Sequence, residues 1–422
     1  MSKLALAGML IVFAVFHPLF SANSAMTPGQ AQKGEADLLV KARALHQKML
    51  SVDTHSDTSG SLLNKDWNIA ERHQPGQPGF TKIDLPRMKE GGLDAEFFSV
   101  FVGQGPLTPE GYQKARERAL ATLDAVHQMC RDHSGLIGLA LTPDDAIGLK
   151  KGGKLAAFIG MENGYPVGRN LSNLEEYYEK GIRYLTLCHS GDNDICASSS
   201  RRDGGEDYGL TDFGREVVAS CNRLGIMVDV SHMSDKSFFD VIAVTKAPII
   251  ASHSGCRALA SSPRNLTDDQ LRALAKNGGV IQTVFLGSYL KDFKPNPERE
   301  AAIQELQKKF GPRREIKDEA VMAKYRAEME TLDKRHPQER ATLKDVVDHI
   351  DHVVKTVGID HTGIGTDFDG GGGVIGCDDA SEMINVTVEL LRRGYSDQDI
   401  AKIWSGNLFR VFNKVIEVAE GN

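Results

Sequence analysis

Four histidines and three carboxylates stand at the ends of six apolar runs along this chain. The segments read Asp53-Thr54-His55-Ser56-Asp57, Met161-Glu162-Asn163, Leu187-Cys188-His189, Val230-Ser231-His232, Ser252-His253-Ser254 and Thr366-Asp367-Phe368-Asp369. Imidazole nitrogen and carboxylate oxygen are the donors that a borderline divalent cation accepts. If the six ends converge, the set could hold metal and activate water for hydrolysis.

Each residue offers a particular chemistry. His55 and Asp57 are two apart on a strand-like run, so both point to one face. Alone, this pair fits chance or turn use better than a metal. Glu162 ends the run Leu155–Met161. A carboxylate there must be ion-paired, metal-bound or neutral, because a bare buried charge is costly. Its two oxygens could bridge two cations. His232 and His253 close two successive runs, and neutral imidazole is a common metal ligand. His189 could add a third imidazole or donate to a developing oxyanion. Asp367 could bind metal or move protons; Asp369 shares its face, so periodicity leaves the choice between them open. Arg257 and Arg264 follow His253, and either could hold a substrate carboxylate through a bidentate pair. His349 and His352 are read as part of a solvated helix face with Asp348 and Asp351.

The elements that must position these residues alternate. Strand candidates are Met49–Asp57, Asp94–Val102, Leu155–Glu162, Tyr184–His189, Met227–His232, Ile249–His253, Val280–Leu286 and Thr362–Asp367. Between them lie helical patterns such as Pro109–His133, Asn173–Lys180, Thr211–Leu224, Asp235–Val244 and Thr267–Ala275, with Gly181, Gly225, Gly278 and Gly358 at expected helix stops. Continuous apolar strands separated by helices indicate a covered parallel sheet. Eight such units predict a TIM-like (β/α)8 barrel, whose chemistry sits at the carboxyl ends of its strands. Residues 291–342 are dense in Glu, Lys and Arg and predict a charged helical insertion before the last strand. A lid or subunit contact is one use of it, and a plain solvated excursion is the favoured one. A homodimer is compatible with either.

The 422 residues are 41% hydrophobic and 25% charged, with a formal net charge of −7. That is the make-up of a globular chain with no basic face for nucleic acid. Met1–Lys3 carries a positive charge, Leu4–Phe20 is apolar and Ser21–Ala25 is small. This is the layout of a secretory signal peptide, residues 1–25, leaving a single barrel domain over 26–422 and no stable membrane span after processing. Export, to the periplasm, is expected. Val411–Asn422 offers no hydrophobic tail for a lipid-linked C-terminus. The six cysteines form no Cys-x-x-Cys pair and read as buried small hydrophobes.

Taken as an ordered set, these segments, with Tyr184-Leu185-Thr186-Leu187-Cys188-His189-Ser190, Asp229-Val230-Ser231-His232 and Pro263-Arg264-Asn265, resemble the membrane (renal) dipeptidase family of amidohydrolase-like metal barrels. The resemblance implies two zinc ions, one held by His55, Asp57 and Glu162, the other by Glu162, His232 and His253, with Glu162 bridging. It implies that His189 and Arg264 bind substrate and that Asp367 shuttles the proton. The expected activity is hydrolysis of dipeptides through a metal-bridging hydroxide. The alternatives are deacylation of N-acyl amino acids or lactam opening in the same site, and a non-catalytic peptide-binding barrel. The insertion is larger than in the animal enzymes of that family, and their lipid-attachment tail has no counterpart here.

Overall fold

The computed structural model describes Met1 and residues 28–77, 79–201, 205–313, 316 and 318–421. The expected signal segment, apart from Met1, lies outside the described residues. None of the helices described is long and apolar enough to cross a membrane.

Nine strands form one parallel sheet: β1 (Val52–Ser56), β2 (Ala95–Phe101), β3 (Ile137–Leu139), β4 (Leu155–Glu162), β5 (Ile182–Thr186), β6 (Met227–Asp229), β7 (Ile250–Ser254), β8 (Val280–Thr283) and β9 (Thr362–Ile364). Their order is β1-β2-β4-β5-β6-β7-β8-β9, with the short β3 paired to the start of β4. The sheet curls into a nearly closed barrel. Its seam is stitched beyond β9, where Asp367 N–H donates to His55 O (3.0 Å) and Asp57 N–H to Phe368 O (2.9 Å). The Asp53 carboxylate accepts from Thr366 N–H (2.8 Å) across the same seam. The architecture is the expected (β/α)8 type, and β3 is the strand the sequence did not announce. Three residues are too few to show a period.

Strand alternation decides what fills the barrel. Val52, Phe97, Phe158, Tyr184, Met227, Ile250 and Val280 form one buried cluster with Phe409 and Phe412 of the last helix, Asn407–Glu420. Their neighbours Phe98, Val100, Ala157, Ile159 and Met161 face the other way, into the larger core beneath the surrounding helices. Phe158 meets both phenylalanines edge-on, at 6.3 and 6.0 Å between ring centroids. The last helix therefore plugs the amino-terminal end of the barrel. That leaves the carboxyl ends of the strands as the open mouth.

The helices start and stop where local chemistry dictates. Thr108, Thr211 and Thr267 cap the helices Pro109–Asp132, Asp212–Leu224 and Asp268–Asn277, each side chain accepting a first-turn N–H. Gly225 and Gly278 end two of them with φ of 82° and 85°, a left-handed conformation in which a Cβ would be strained. Within the insertion, Pro297–Phe310 and Glu319–Arg335 pack on each other around Leu306, Tyr325 and Leu332, a small core separate from the barrel's. Lys291 and Glu339 pair at 2.5 Å across its base. All six cysteines are free and buried.

One buried acid gives a stability prediction. Glu96 on β2 is fully buried, and neither carboxylate oxygen has a hydrogen-bond partner. Burial first, and then the nearby Asp53 charge, push its pKa well above the usual glutamate range. The folded chain thus holds this proton more tightly than the unfolded chain does. The stability it contributes is complete below the unfolded pKa and is lost as pH rises toward the folded one. Glu96→Gln is expected to exceed the parent in stability at about pH 8, with the difference shrinking toward about pH 4 in denaturant melts. A difference independent of pH would contradict this.

Candidate metal centre

The barrel mouth collects the sequence's candidates around Glu162, the last residue of β4. Its Oε2 lies 3.3 Å from His55 Nε2. Its Oε1 lies 3.0 Å from His232 Nε2, 3.4 Å from His253 Nε2 and 3.7 Å from His189 Nε2. Asp57 Oδ1 and Asp367 Oδ1 approach His55 Nε2 to 3.8 and 4.0 Å. Three overlapping triads have ligand atoms close enough to share an ion: His55–Asp57–Glu162, Glu162–His189–His232 and His55–His253–Asp367.

The strands reach this arrangement by breaking their own regularity. The β1–β2 register shifts between Asp53 and Ser56, and the β7–β8 register between Ala251 and Ser254. Such irregularities re-aim side chains, and here they bring His55 and His253 ring to ring, with centroids 3.8 Å apart. The simple two-residue period is therefore not what turns His55 inward. His189, His232 and Asp367 also stand beyond the ends of β5, β6 and β9, which are shorter than the expected strands. His232 and Asp367 have φ of 69° and 59°, left-handed values that a β ladder does not allow. Asn163, directly after Glu162, shares this conformation at 77°. Strain of this kind persists where the surroundings enforce it, and it gathers at functional sites.

Electrostatics divides the cluster. Burial would raise the Glu162 pKa, but the nearby His55 charge, with the His232 and His253 rings beside it, outweighs that and holds the carboxyl well below its usual range. Burial would lower His55, yet Glu162, Asp57 and Asp367 hold it at about 9. Burial and then the Arg264 charge keep His232 well below the usual imidazole value; burial and then His55 do the same to His253. These two are neutral imidazoles, the form that ligates metal. Burial and the Glu162 charge push Asp57 well up, and burial lifts Asp367 to about 7.

The donor set fits metal on two observations. His55 Nε2 and Asp57 Oδ1 are buried and lack hydrogen-bond partners. The second concerns His253. Its Nδ1 lies 2.8 Å from Ser252 Oγ, whose hydroxyl proton goes to Asp229 Oδ2 at 2.6 Å. The serine can then only accept from Nδ1–H, so His253 Nε2 carries a bare lone pair. That lone pair lies 2.9 Å from His232 Nε2 and 3.4 Å from Glu162 Oε1, an acceptor. A cation between them resolves the conflict.

Arg264 is 3% exposed and donates to Ser254 Oγ and His253 O, both at 2.8 Å. Its Nε is buried without a partner. Arg257 is instead committed to Asp235, through two contacts of 2.7 Å. Asp369 turns away from the cluster toward Lys82 N–H (2.8 Å) and Thr58 Oγ1 (2.5 Å), leaving Asp367 as the aspartate that faces His55. Gly370 is required beside it: a Cβ there would strike Asp367 Oδ1 and lie 2.8 Å from Asp57 Oδ2. His349, expected on a solvated face, is buried; it accepts from Cys256 N–H (2.9 Å) and bonds Leu290 O (3.0 Å). The sequence reading gave no role to Tyr184, Asp229 or Ser252, although Asp229 stands in the same short segment as His232.

A parallel β/α barrel with histidines and carboxylates converging at its mouth defines a metal-dependent hydrolase. The chain belongs to the membrane dipeptidase family (peptidase family M19), whose model matches residues 39–422. Dipeptidase ataJ of Aspergillus terreus (strain NIH 2624 / FGSC A1156) is 30% identical over 405 residues, covering 90% of this chain and 88% of that protein. The probable dipeptidase PvdM from Pseudomonas aeruginosa superposes with a TM-score of 0.74 at 32% identity, over 91% of this chain and all of that one. A metallopeptidase from Rhodobacter sphaeroides, solved with a phosphinate mimic of the dipeptide L-Ala-D-Ala, gives 0.68 at 26% identity, over 87% of this chain and 99% of that one. The protein is a metal-dependent peptide hydrolase of the dipeptidase type.

Proposed function

We propose that the protein hydrolyses dipeptides with two zinc ions, one held by His55, Asp57 and Glu162 and the other by Glu162, His232 and His253. The observation that carries this reading is the division of Glu162. One oxygen faces His55 and the other faces His232 and His253, as a bridging carboxylate must. When bound, such ions polarise the scissile carbonyl and make water a stronger acid.

The chain's own residues supply the rest. Asp367, with a pKa near neutrality, takes a proton from the attacking water and returns it to the leaving amine. His189 is 25% exposed at the mouth, set edge-on against Phe101 with ring centroids 4.8 Å apart. It donates to the oxyanion as charge develops. Arg264, with its unpartnered Nε, binds the substrate's terminal carboxylate and so restricts substrates to short peptides.

The test is metal analysis joined to a substrate panel. Dipeptides with L or D second residues, N-acyl amino acids and lactams are compared. The D-residue arm is included because the Rhodobacter sphaeroides relative was solved with an L-Ala-D-Ala mimic. Two zinc ions per chain and turnover confined to dipeptides are expected. Faster turnover of N-acyl amino acids or lactams would move the assignment to those amides, and metal without any turnover would favour a binding barrel. Arg264→Ala is expected to raise KM across all dipeptides with kcat kept, the signature of binding shared by ground and transition states. A fall in kcat alone would contradict that role. The segment 1–25 is proposed to direct export to the periplasm and to be removed; an intact mass of the exported protein that still includes Met1 would refute removal.

A further inference from the structure

Behind the histidines lies a layer that the proposed mechanism does not use. Asp229, the last residue of β6, is fully buried. Its Oδ1 accepts from Ser231 N–H (3.0 Å) and Ser252 N–H (2.8 Å). Its Oδ2 accepts from Thr186 Oγ1 (2.5 Å) and Ser252 Oγ (2.6 Å). Four donors from β5, β7 and the turn after β6 occupy the two carboxylate oxygens. The Thr186 and Ser252 hydroxyl protons are thereby both directed toward Asp229. Ser252 Oγ must take the Nδ1–H of His253, and the His253 Nε2 lone pair must face the site. On the opposite side, Tyr184 OH meets His55 Nδ1 at 2.8 Å. A Cβ at Gly160 would collide with the Tyr184 ring, so β4 leaves room for it.

We infer that Asp229, acting through Ser252, is a positioning residue that fixes the tautomer of His253 and thereby the affinity of one of the two proposed metal positions, while Tyr184 serves His55 and the other. The inference rests on the two-metal reading above. Ligand histidines commonly hold their second nitrogen against an outer partner, and loss of that partner costs about 10–100-fold in metal affinity. Here a serine is interposed, and that makes the polarity of the chain testable. In Asp229→Asn the amide can present Nδ2–H to Ser252 Oγ. The serine then donates to His253 Nδ1, and the imidazole proton moves to Nε2, where it blocks ligation. The substitution keeps size and shape and reverses the direction of the hydrogen bonds.

The experiment is a stepwise cobalt(II) titration of metal-stripped full-length protein, followed by visible absorption and calorimetry. It is run on the parent, Asp229→Asn, Ser252→Ala, Ser252→Thr and Tyr184→Phe. Imidazole 15N spectra of the metal-stripped samples read the His253 tautomer directly. Asp229→Asn and Ser252→Ala are expected to weaken one cobalt step by about 10–100-fold and leave the other in place. Ser252→Thr, which keeps the hydroxyl, restores it. Tyr184→Phe is expected to weaken the other step. The His253 proton should sit on Nδ1 in the parent and on Nε2 in Asp229→Asn. Unchanged cobalt steps in a folded Asp229→Asn, or a parent His253 protonated on Nε2, would overturn the inference. A parent that takes up fewer than two ions would instead overturn the two-metal reading beneath it. If Asp229→Asn fails to fold, Ser252→Ala carries the same test without altering the buried charge.

Discussion

Glu162→Gln is expected to reduce the bound metal from two ions to at most one and to lower kcat/KM by about 10³-fold, the equivalent of roughly 4 kcal/mol of transition-state stabilisation. The magnitude follows from what this one side chain does. It is the carboxylate against which His55, His232, His253 and His189 all converge. An amide keeps one acceptor oxygen and replaces the other with donor hydrogens, which must point either at His55 or at the His232–His253 pair. One metal position therefore loses a ligand and gains a repelling N–H. The charge is lost too. His55, held at about 9 chiefly by Glu162 against the effect of burial, is expected to release its proton at lower pH in the variant. Metal content by mass spectrometry and steady-state kinetics check the claim. A Glu162→Gln protein with two ions and near-parent kcat/KM would show that the carboxylate does not bridge.

Asp367→Asn is the second large effect. Its carboxyl, raised to about 7 by burial despite the His55 charge, is suited to take and return a proton near neutral pH. Positioned acid–base groups contribute about 10²–10⁴-fold, and a loss in kcat of that size is expected with KM little changed. The pH dependence gives a second reading. As a base, Asp367 must be ionised, so activity falls as pH drops through its apparent pKa. Nearby cations favour the ionised form, placing that acid limb below about 7 in the metal-loaded enzyme. The limb should vanish in Asp367→Asn, leaving a flat residual rate. Retention of both kcat and the limb would assign the proton transfer elsewhere.

How much of this was legible in the sequence depended on whether the information was local. Buried parallel strands are apolar along much of their length, so β4 stood out with the candidate ligand Glu162 at its end, and β7 was legible from the apolar Ile249-Ile250-Ala251 ahead of the candidate His253. Helix Leu343–Val357 was legible to the residue. Its content was misread at His349, although Val346, Ile350 and Val353 share a buried stripe with it. The helical period already placed that histidine inward; its polarity prompted the wrong reading. The choice between Asp367 and Asp369 was not legible, because period-two reasoning ends where the backbone leaves the strand. Both residues are left-handed, at 59° and 67°, and only the fold shows which one faces His55. The layer of Tyr184, Asp229 and Ser252 was hidden for a different reason. Its members lie on three strands and meet only through space, so neither spacing nor composition links them to the histidines they hold.

Crystallographic anomalous scattering from the zinc-loaded protein, recorded on both sides of the zinc edge, tests the central claim most directly. Two peaks roughly 3.5–4 Å apart are expected, one touching His55 and Asp57, the other touching His232 and His253, with Glu162 in contact with both. A single peak, or two peaks of which either lies beyond reach of Glu162, would contradict it.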